Sequence, residues 1–420
     1  MRVVVIGSGI VGAAAAYYLS GRGADVTVVS GGYLGEATQA GAGIVCPWLD
    51  HPKDDDWYRL TREGARHYPG LVEALGEDIG YARVGALVVA EDPVDLEPVR
   101  RLLHRRYPDA PEMGEVTDVT TPWELFPPLS DRLSAILVPG AARVDGCSVR
   151  DALLRAAQRQ GAEVRAGAAR LSPEGRVSVH VRGDEIPAGA VRWRQEEPEP
   201  ANGDAASWRQ AAPLPPTGTP AGAPGMPPGA AGTGGGGQAG PSGAGDGAPL
   251  EADVVVVAAG AWSGEVCRPL GVELPVFPRR GQILHATLEG VDTAWWPIVL
   301  PRMGPYLLGF PGSRVVVGAT VEDVGFAPRV TVGGLDEVLR AGLRVAPGLY
   351  GATLAETRVG LRPVNAPGPP LIGRLTDRVV VATGLSAFGL TAGPLTGMIA
   401  AALALGETPP LDITPYQPHI

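Results

Sequence analysis

The first thirty residues constrain the fold of this chain more than any other stretch. They contain an apolar β-branched run, a G-x-G-x-x-G loop, a run of helix formers without Gly or Pro, and a second apolar run, at residues 3–6, 7–12, 13–19 and 26–29. Apolar β-branched runs are typical of strands that are buried on both faces. Strand, glycine loop, helix and strand in this order form the dinucleotide-binding unit. We therefore expect an α/β fold that begins with a nucleotide site.

Each glycine of the loop has a separate physical role in such a unit. Gly7 permits the tight turn, Gly9 lets the backbone approach a pyrophosphate, and Gly12 lets the helix and the strand pack closely. Ile10 and Val11 open the helix, where free N–H groups and the positive end of the helix dipole attract phosphate. The spacing therefore predicts that these five residues hold a pyrophosphate.

One position departs from the usual pattern of this unit. An Asp or Glu roughly 20 residues past the motif usually receives the ribose hydroxyls, but the second strand ends in Ser30. A serine hydroxyl makes neutral hydrogen bonds where a carboxylate would make charge-assisted ones. Asp25 and Glu36 flank the strand, and neither is an obvious substitute. Either the adenosine end of the ligand is held less tightly, or another residue takes this role.

The composition of the chain argues against several classes of protein. A net charge of −10 and the lack of a Lys/Arg cluster argue against a nucleic-acid partner. The three cysteines, Cys46, Cys147 and Cys267, lie far apart without a C-x-x-C pair, so neither a disulfide framework nor a metal site is expected. This cysteine usage suits a reducing cytoplasm, and no stretch predicts a signal peptide or an integral membrane segment. Nothing in the sequence indicates the oligomeric state.

Between residues 195 and 250 the composition changes abruptly. In residues 211–250, 31 of 40 residues are Gly, Pro or Ala, and none is aromatic. A segment of this composition cannot bury enough apolar surface to offset its chain entropy. We expect a disordered insertion that is tethered to a strand at each end.

The chain after the insertion alternates between apolar runs and turns. Runs at residues 283–288, 306–310 and 315–319 follow one another without helical segments between them, which favours an antiparallel sheet. 

Prolines set two of the expected helix boundaries. An amphipathic pattern at residues 54–75 predicts a helix with a break at Pro69-Gly70. Near the C-terminus we expect a second helix to begin at Gly393-Pro394, with Pro394 in its first turn, and to end at Gly406.

Seven motifs occur in an order that resembles one known family. They are the amino-terminal G-x-G-x-x-G, ATQAGAGI at 37–44, VVVVAAGAWS at 254–263, PRRGQ at 278–282, VGAT at 317–320, RVGLRP at 358–363, and ATG with GLT within 382–391. The set is similar to that of the D-amino-acid oxidase/dehydrogenase family of FAD-dependent amine oxidoreductases, which contains glycine oxidase and the bacterial D-amino-acid dehydrogenases. The resemblance covers nearly the whole chain except the insertion. Ser30 departs from the Glu that most members carry there.

The resemblance implies a fold of two domains. One is a discontinuous Rossmann-like FAD-binding domain, and the other is an α+β substrate domain with an antiparallel sheet over the isoalloxazine ring. The implied FAD-binding segments are residues 1–83, 141–194, 251–273 and 352–420. The implied substrate-domain segments are residues 84–140 and 274–351, with the insertion at 195–250.

The resemblance also assigns residues to FAD, which we expect to be bound non-covalently. Residues 38–44 would run along the flavin, and residues 389–391 would meet its pyrimidine edge. Arg170 aligns with the family's backbone contact to adenine, and Gly260 and Trp262 would lie near the diphosphate and the ribityl chain. The full set is Gly7, Gly9, Ile10, Val11, Gly12, Ser30, Thr38, Gln39, Gly41, Ala42, Gly43, Ile44, Arg170, Gly260, Trp262, Gly360, Gly389, Leu390 and Thr391.

Arg362 and Tyr306 are the substrate residues that the resemblance implies. Arg362 matches the family's carboxylate-binding arginine, and a guanidinium fork takes a carboxylate bidentately. Pro363 restricts Arg362 to an extended backbone, which helps to hold its direction. Tyr306 matches the family's substrate tyrosine, whose hydroxyl would bind the same carboxylate. The alternatives are a structural ion pair for Arg362 and simple strand packing for Tyr306.

The activity that the resemblance implies is the oxidative deamination of a small amino acid, either a D-amino acid or glycine. A hydride would leave the α-carbon for flavin N5, and water would hydrolyse the imino acid to an oxo acid and ammonia. Either O2 or another acceptor would then take the electrons. Two alternatives remain open, namely oxidation of an N-methylated or cyclic secondary amine, and a non-catalytic flavin-binding partner subunit. A dehydrogenase of this kind could also associate peripherally with a membrane.

Overall fold

Twenty strands and eight α-helices lie in the described part of this computed structural model, which comprises residues 1–180, 248–366 and 368–418. The helices are α1 (Ile10–Ser20), α2 (Ala37–Ala40), α3 (Asp55–Leu75), α4 (Glu97–Arg106), α5 (Gly146–Arg159), α6 (Ser263–Cys267), α7 (Val332–Val345) and α8 (Gly389–Leu405). The strands are β1 (Arg2–Ile6), β2 (Asp25–Ser30), β3 (Ile44–Val45), β4 (Ala82–Arg83), β5 (Ala86–Ala90), β6 (Thr117–Val119), β7 (Ser134–Val138), β8 (Ala142–Arg143), β9 (Glu163–Ala166), β10 (Ala168–Leu171), β11 (Val177–His180), β12 (Ala248–Leu250), β13 (Val254–Val257), β14 (Val276–Thr287), β15 (Ile298–Pro301), β16 (Tyr306–Phe310), β17 (Arg314–Gly318), β18 (Thr353–Asn365), β19 (Leu371–Arg374) and β20 (Val379–Thr383).

The amino-terminal strand lies inside a six-stranded sheet with the order β19-β20-β13-β1-β2-β9. Its neighbouring strands run parallel, except for β19, which pairs antiparallel with β20. Val3 and Val5 pack into one apolar cluster, while Val4 and Ile6 pack into another. The strand is therefore buried on both faces, as its composition predicts. The expected order of strand, glycine loop, helix and strand is confirmed, and with it the α/β class.

The second large sheet has eight strands in the order β18-β14-β17-β16-β15-β5-β7-β6. These strands are antiparallel except for the parallel β15–β5 pair. Because side chains alternate between the faces of a strand, Leu308 and Val316 pack on one face and Leu307 and Val317 on the other. The expected antiparallel sheet is confirmed.

The predicted insertion at residues 195–250 differs from the structure at its C-terminal end. Residues 195–247 lie outside the described residues. Ala248–Leu250 form β12, which pairs antiparallel with β11, so backbone pairing orders three residues whose composition predicts disorder. The described residues belong to one compact unit, and the implied boundaries between FAD-binding and substrate segments stay a prediction.

Helix α3 continues through Pro69, where the sequence predicts a break. It packs against α8 at Gly64, where an added Cβ would lie 2.6 Å from the carbonyl oxygen of Thr391. This packing outweighs the one hydrogen bond that a proline removes from a helix. The helix ends at Gly76, whose φ of 62° is the left-handed conformation common at helix C-termini.

Helix α8 begins at Gly389, earlier than the expected start at Gly393-Pro394. Pro394 therefore lies in the second turn and lacks the N–H that would bond to the carbonyl of Leu390. The hydroxyl of Tyr68 on α3, which is fully buried, donates to this carbonyl instead. A side chain from another helix thus satisfies the acceptor that a proline in a helix interior leaves without a donor.

Residues Ser386–Leu405, which include α8, have the length and hydropathy of a membrane span. In the structure, 72% of the most apolar window of this segment is buried. At Gly397 an added Cβ would lie 2.5 Å from the Cβ of Ala14, so α8 and α1 are in close contact. The segment packs as a core helix between α1 and α3.

We expect Tyr68→Phe to lower the free energy of unfolding by about 1–3 kcal/mol, because it leaves the buried carbonyl of Leu390 without a donor. Urea unfolding of the purified protein measures this loss. In a Pro394→Ala background, the new N–H can replace the hydroxyl, so the same substitution should cost less. Tyr81→Phe is the matched control, since Tyr81 stacks on Tyr68 at 5.5 Å between ring centroids. Equal losses in Tyr68→Phe and Tyr81→Phe would contradict this role.

Candidate functional site

The glycine loop after β1 is a tight turn packed against the end of β13. Gly7 has a φ of 108°, and an added Cβ there would lie 2.3 Å from the carbonyl oxygen of Ala258. At Gly12 an added Cβ would lie 1.9 Å from the carbonyl oxygen of Gly7. Both positions therefore exclude any side chain, as the sequence analysis expects of this loop.

The N-terminus of α1 is in contact with the second predicted cofactor segment. Gly9 is the N-cap residue of α1, and the N–H of Ile10 donates to Oγ1 of Thr38 at 3.0 Å. Val11 and Gly12 follow in the first turn, where N–H groups have no intrahelical acceptor. Thr38 thus accepts from the first N–H of the helix, and the N–H groups that follow are the donors that an anion at a helix N-terminus can use.

Ser30 forms a hydrogen bond with the glycine loop itself. Its Oγ lies 2.7 Å from Oγ of Ser8, and its carbonyl accepts from the N–H of Gly167 at 2.9 Å. Glu36 accepts from Nε2 of Gln39 at 3.0 Å. Arg170 has an exposed side chain on β10, which lies beside the strand that carries Ser30. A pair of hydroxyls therefore lies at the strand end where this kind of unit usually has a carboxylate.

The two glycine-rich segments that the resemblance assigns to the flavin touch each other. An added Cβ at Gly41 would lie 2.6 Å from Cδ1 of Leu390. Oγ1 of Thr391 donates to the carbonyl of Ile44 at 2.9 Å. Gly43 has a φ of 93°, and an added Cβ there would lie 1.8 Å from the carbonyl oxygen of Val144. 

The same segments also contact the eight-stranded sheet. Ala42 and Ile44 pack against the apolar cluster on one face of that sheet. An added Cβ at Gly360 on β18 would lie 2.8 Å from the Cβ of Ala40. The structure therefore brings residues 38–44, 389–391 and Gly360 to one place.

Open space lies beside two of the predicted cofactor glycines. An added Cβ at Gly260 or at Gly389 would meet nothing within 4 Å. Gly260 has a φ of 56°, and its carbonyl accepts from Oγ1 of Thr383 at 2.9 Å. Trp262 stacks on Tyr33 at 5.3 Å and contacts Phe326 at 5.5 Å between ring centroids. Room beside the backbone at these two glycines leaves space for a flat ligand such as FAD.

Arg362 and Tyr306 meet on one face of the eight-stranded sheet. Nη1 of Arg362 donates to the carbonyl oxygens of Arg280 and Thr320, at 3.2 and 3.1 Å. Burial raises the pKa of Tyr306 to about 12, while the charge of Arg362 and its hydrogen bond with the phenol oppose that rise. Tyr306 is therefore a neutral hydroxyl beside a cation at any ordinary pH.

The position of Arg362 along β18 relates it to the predicted flavin segment. Gly360 and Arg362 are two residues apart on one strand, so they face the same side at a spacing of roughly 6.6 Å. Gly360 is the residue that touches Ala40. The Cα of Arg362 thus lies about one strand repeat from the residue that touches the predicted flavin loop.

A polar network around Glu322 lies next to Arg362, and no sequence motif predicted it. The carboxylate of Glu322 accepts from Arg280, from Nε2 of Gln282 at 2.7 Å and from Oγ1 of Thr320 at 2.7 Å. Hydrogen bonds from these donors, with Arg280 the largest contributor, lower the pKa of Glu322 to about 2. No motif marks Glu322, and the only available signal was Arg280 next to the glycine of the PRRGQ stretch.

Other titratable residues near the predicted flavin loop are suited to structural roles. Burial lowers the pKa of His285 to about 4, so this histidine is neutral at ordinary pH. Burial raises the pKa of the Cys46 thiol well above its usual range, which disfavours the thiolate that a covalent flavin link would need. Within the ranges that the structure describes, no three His, Cys, Asp or Glu side chains are grouped so that they could hold a metal ion.

Comparison with known proteins relates the chain to one family. The family model described as "DAO: FAD dependent oxidoreductase" matches residues 2–191 and 230–403. The "Uncharacterized oxidoreductase YurR" of Bacillus subtilis (strain 168) is 37% identical over 99% of this chain and 98% of its own length. A glycine oxidase of Bacillus licheniformis is 26% identical over 96% of this chain and 93% of its own length. The crystal structure of an iminodiacetate oxidase from Chelativorans sp. BNC1 is similar over 99% of both chains, with a TM-score of 0.81 and 39% identity.

We expect Gly389→Ala to weaken FAD binding by about tenfold or more without lowering the stability of the apoprotein, since the added methyl enters the open space beside α8. Gly333→Ala is the matched control, because Gly333 also lies in a first helical turn, that of α7, and also has room for a Cβ. FAD titration of the apoproteins, followed by flavin fluorescence, measures both affinities. Equal affinities in the two variants would show that the space at Gly389 is not used by FAD.

The lowered pKa of Glu322 predicts that the stability of the protein depends on pH. The pKa of Glu322 is lowered from the usual 4.5 to about 2 in the folded protein. Its contribution to the free energy of unfolding is therefore fully present above pH 4.5 and is lost as the pH falls through about 2. We expect the free energy of unfolding of the wild type to fall more steeply across this window than that of Glu322→Gln. Urea unfolding at several pH values measures the difference, and parallel pH profiles would contradict it.

Proposed function

Because the chain belongs to the DAO family of FAD-dependent oxidoreductases, we propose that it oxidatively deaminates a small amino acid whose carboxylate binds to Arg362. The family assignment makes the protein an FAD-dependent enzyme that acts on amine C–N bonds. The observation that carries the proposal is the meeting of Arg362 and Tyr306 beside the predicted flavin loop. The substrate is a D-amino acid or glycine.

The hydrogen bonds of Arg362 leave part of its fork for a ligand. Among the described residues, Nη1 donates to two carbonyl oxygens, and the guanidinium is also hydrogen-bonded to the hydroxyl of Tyr306. The donors that remain on the guanidinium can face a carboxylate together with this neutral hydroxyl. In a partly buried place they fix the carboxylate, and through it the direction of the Cα–H bond.

FAD supplies the hydride acceptor when it is bound. We propose that the glycine loop, with Ile10 and Val11, binds the pyrophosphate, and that residues 38–44 and 389–391 border the flavin. The first turn of α8 begins at Gly389, so the positive end of its dipole favours negative charge on the ring edge that it meets. Arg362, Tyr306 and the apolar face of the sheet orient the substrate and exclude water.

A secondary amine is the second candidate substrate. The structure of the iminodiacetate oxidase, which is named for a secondary amine, is similar to this chain over its whole length at 39% identity. An N-methylated or cyclic amino acid has the same carboxylate and the same α-hydrogen, so Arg362 would hold it in the same way. The family assignment supports an enzyme rather than a non-catalytic partner subunit.

We also propose a cytoplasmic location, because the spaced cysteines suit a reducing compartment. The electron acceptor is O2 or a second redox partner.

An anaerobic titration distinguishes the candidate substrates. The holoenzyme is mixed with D-alanine, D-proline, glycine, sarcosine or iminodiacetate, and bleaching of the flavin absorbance band is recorded. We expect at least one of these carboxylates to bleach the band, and admission of air then separates an oxidase, which recovers the band, from a dehydrogenase, which does not. A holoenzyme that none of the five reduces would contradict the proposed substrate class.

We expect Arg362→Ala to raise the KM for the carboxylate substrate by about 100-fold, because charged hydrogen bonds to the carboxylate are lost. Arg362→Lys keeps the charge but not the planar fork, so its KM should lie between those of the wild type and Arg362→Ala. Arg358→Ala is the control on the same strand; Arg358 pairs with Glu356 and also donates to the carbonyl of Gln39, so its FAD content is compared as well. Steady-state kinetics with FAD content as a check measures these effects, and an unchanged KM in Arg362→Ala would exclude the carboxylate role.

A further inference from the structure

The two residues whose carbonyl groups accept from Arg362 both donate, through their side chains, to a single carboxylate. We propose that Glu322 is a positioning residue for Arg362, which fixes the two backbone acceptors of its guanidinium and thereby its direction toward the substrate carboxylate. This inference rests on the proposed function of Arg362. It assigns a role to a residue on the loop between β17 and α7 that no sequence motif marks.

The hydrogen bonds of Glu322 converge on the residues that contact Arg362. Nη1 of Arg362 donates to the carbonyls of Arg280 and Thr320. The side chains of the same two residues donate to the carboxylate of Glu322, Thr320 through Oγ1 at 2.7 Å. Each acceptor of Arg362 therefore belongs to a residue whose side chain is tied to Glu322.

The backbone of the loop reinforces this arrangement. The N–H of Glu322 donates to the carbonyl of Arg280 at 3.0 Å, and the N–H of Arg280 donates to the carbonyl of Glu322 at 2.8 Å. The carbonyl of Arg280 thus accepts from both Glu322 and Arg362. Gln282 joins Thr320 to Glu322, because its N–H donates to Oγ1 of Thr320 at 3.0 Å and its Nε2 donates to the Glu322 carboxylate at 2.7 Å.

The donors of the network are buried, while the side chain of Glu322 is 23% exposed. Arg280 is 4% exposed, and Gln282 and Thr320 are 0% exposed. A buried guanidinium that loses its carboxylate partner is left as an uncompensated charge, and it must move or take up water. Any movement of Arg280 carries its carbonyl, and therefore the anchor of Arg362, with it.

Gly281 makes the guanidinium of Arg362 sensitive to such a movement. An added Cβ at Gly281 would lie 2.4 Å from both terminal nitrogens of Arg362. The guanidinium therefore lies directly on the β14 backbone, between the residues that Glu322 holds. A small shift of this backbone changes the direction of the fork, and a misdirected fork loses bidentate binding.

Glycolate, a carboxylate without an amine, is the probe that tests this role on the holoenzyme. Its dissociation constant is obtained from the change in the flavin spectrum during titration. We expect Glu322→Gln to raise this constant about 30-fold while FAD content stays unchanged. In an Arg362→Ala background, the same substitution should change it by less than about twofold, because the group that Glu322 positions is already gone.

Asp323→Asn is the matched control. Asp323 is the next residue of the same loop and pairs with Arg279, but neither of these residues supplies a carbonyl to Arg362. We expect the dissociation constant of glycolate for Asp323→Asn to stay within about twofold of the wild-type value. Should Glu322→Gln fail to fold, Glu322→Asp replaces it, since it keeps the charge but is one methylene shorter, and an increase of about fivefold is then expected.

The inference is overturned if the glycolate constant of the Glu322 variant stays within about twofold of the wild type, or if the variant loses as much affinity in the Arg362→Ala background. The second result would indicate a general structural effect. If Arg362→Ala itself leaves glycolate binding unchanged, the proposed function fails and the positioning role with it. If Arg362→Ala weakens glycolate binding but Glu322→Gln does not, only the positioning role is wrong.

Discussion

The candidate site depends on a close approach between β18 and α2 at Gly360. An added Cβ at this position would lie 2.8 Å from the Cβ of Ala40 and 3.3 Å from the Cα of Ala37. The neighbouring N–H of Leu361 donates to the carbonyl of Gly35 at 2.8 Å, so the backbone of β18 is bonded to the segment before α2. Any side chain at position 360 would push the two apart, and the distance between Arg362 and the glycine-rich loop would increase.

The proposed nucleotide site and the proposed substrate site differ in charge. At the nucleotide end, Ser30 and Ser8 form a neutral hydroxyl pair where a carboxylate is usual. At the substrate end, Arg362 lies next to the ion pair of Arg280 and Glu322. On the proposed assignment, the cofactor would therefore be bound by backbone donors and shape, and the substrate by a fixed cation.

The sequence predicts those parts of the fold that depend on neighbouring residues, and it misses parts that depend on distant ones. Residues 3–30 specify their own strand, turn and helix, because apolar periodicity and glycine spacing are local properties. The predicted start of α8 was wrong because Pro394 alone favours a first turn. The hydroxyl of Tyr68, which makes an interior proline tolerable, is 322 positions from its acceptor Leu390. Glu322 was missed for the same reason, since its partners Arg280 and Gln282 lie on β14, 42 and 40 positions before it. The family resemblance, rather than periodicity, supplied Arg362 and Tyr306.

The pairing of β1 has a consequence for the order in which the chain can fold during synthesis. Val3 pairs with Val254, and Gly7 packs against the carbonyl of Ala258, so the glycine loop is closed by a strand that leaves the ribosome long after it. Until then β1 exposes an apolar edge, which is a place where nascent chains aggregate or recruit chaperones. The glycine loop can thus be completed only after residues 254–258 have been synthesised, so a cofactor that binds there must wait for the second half of the chain.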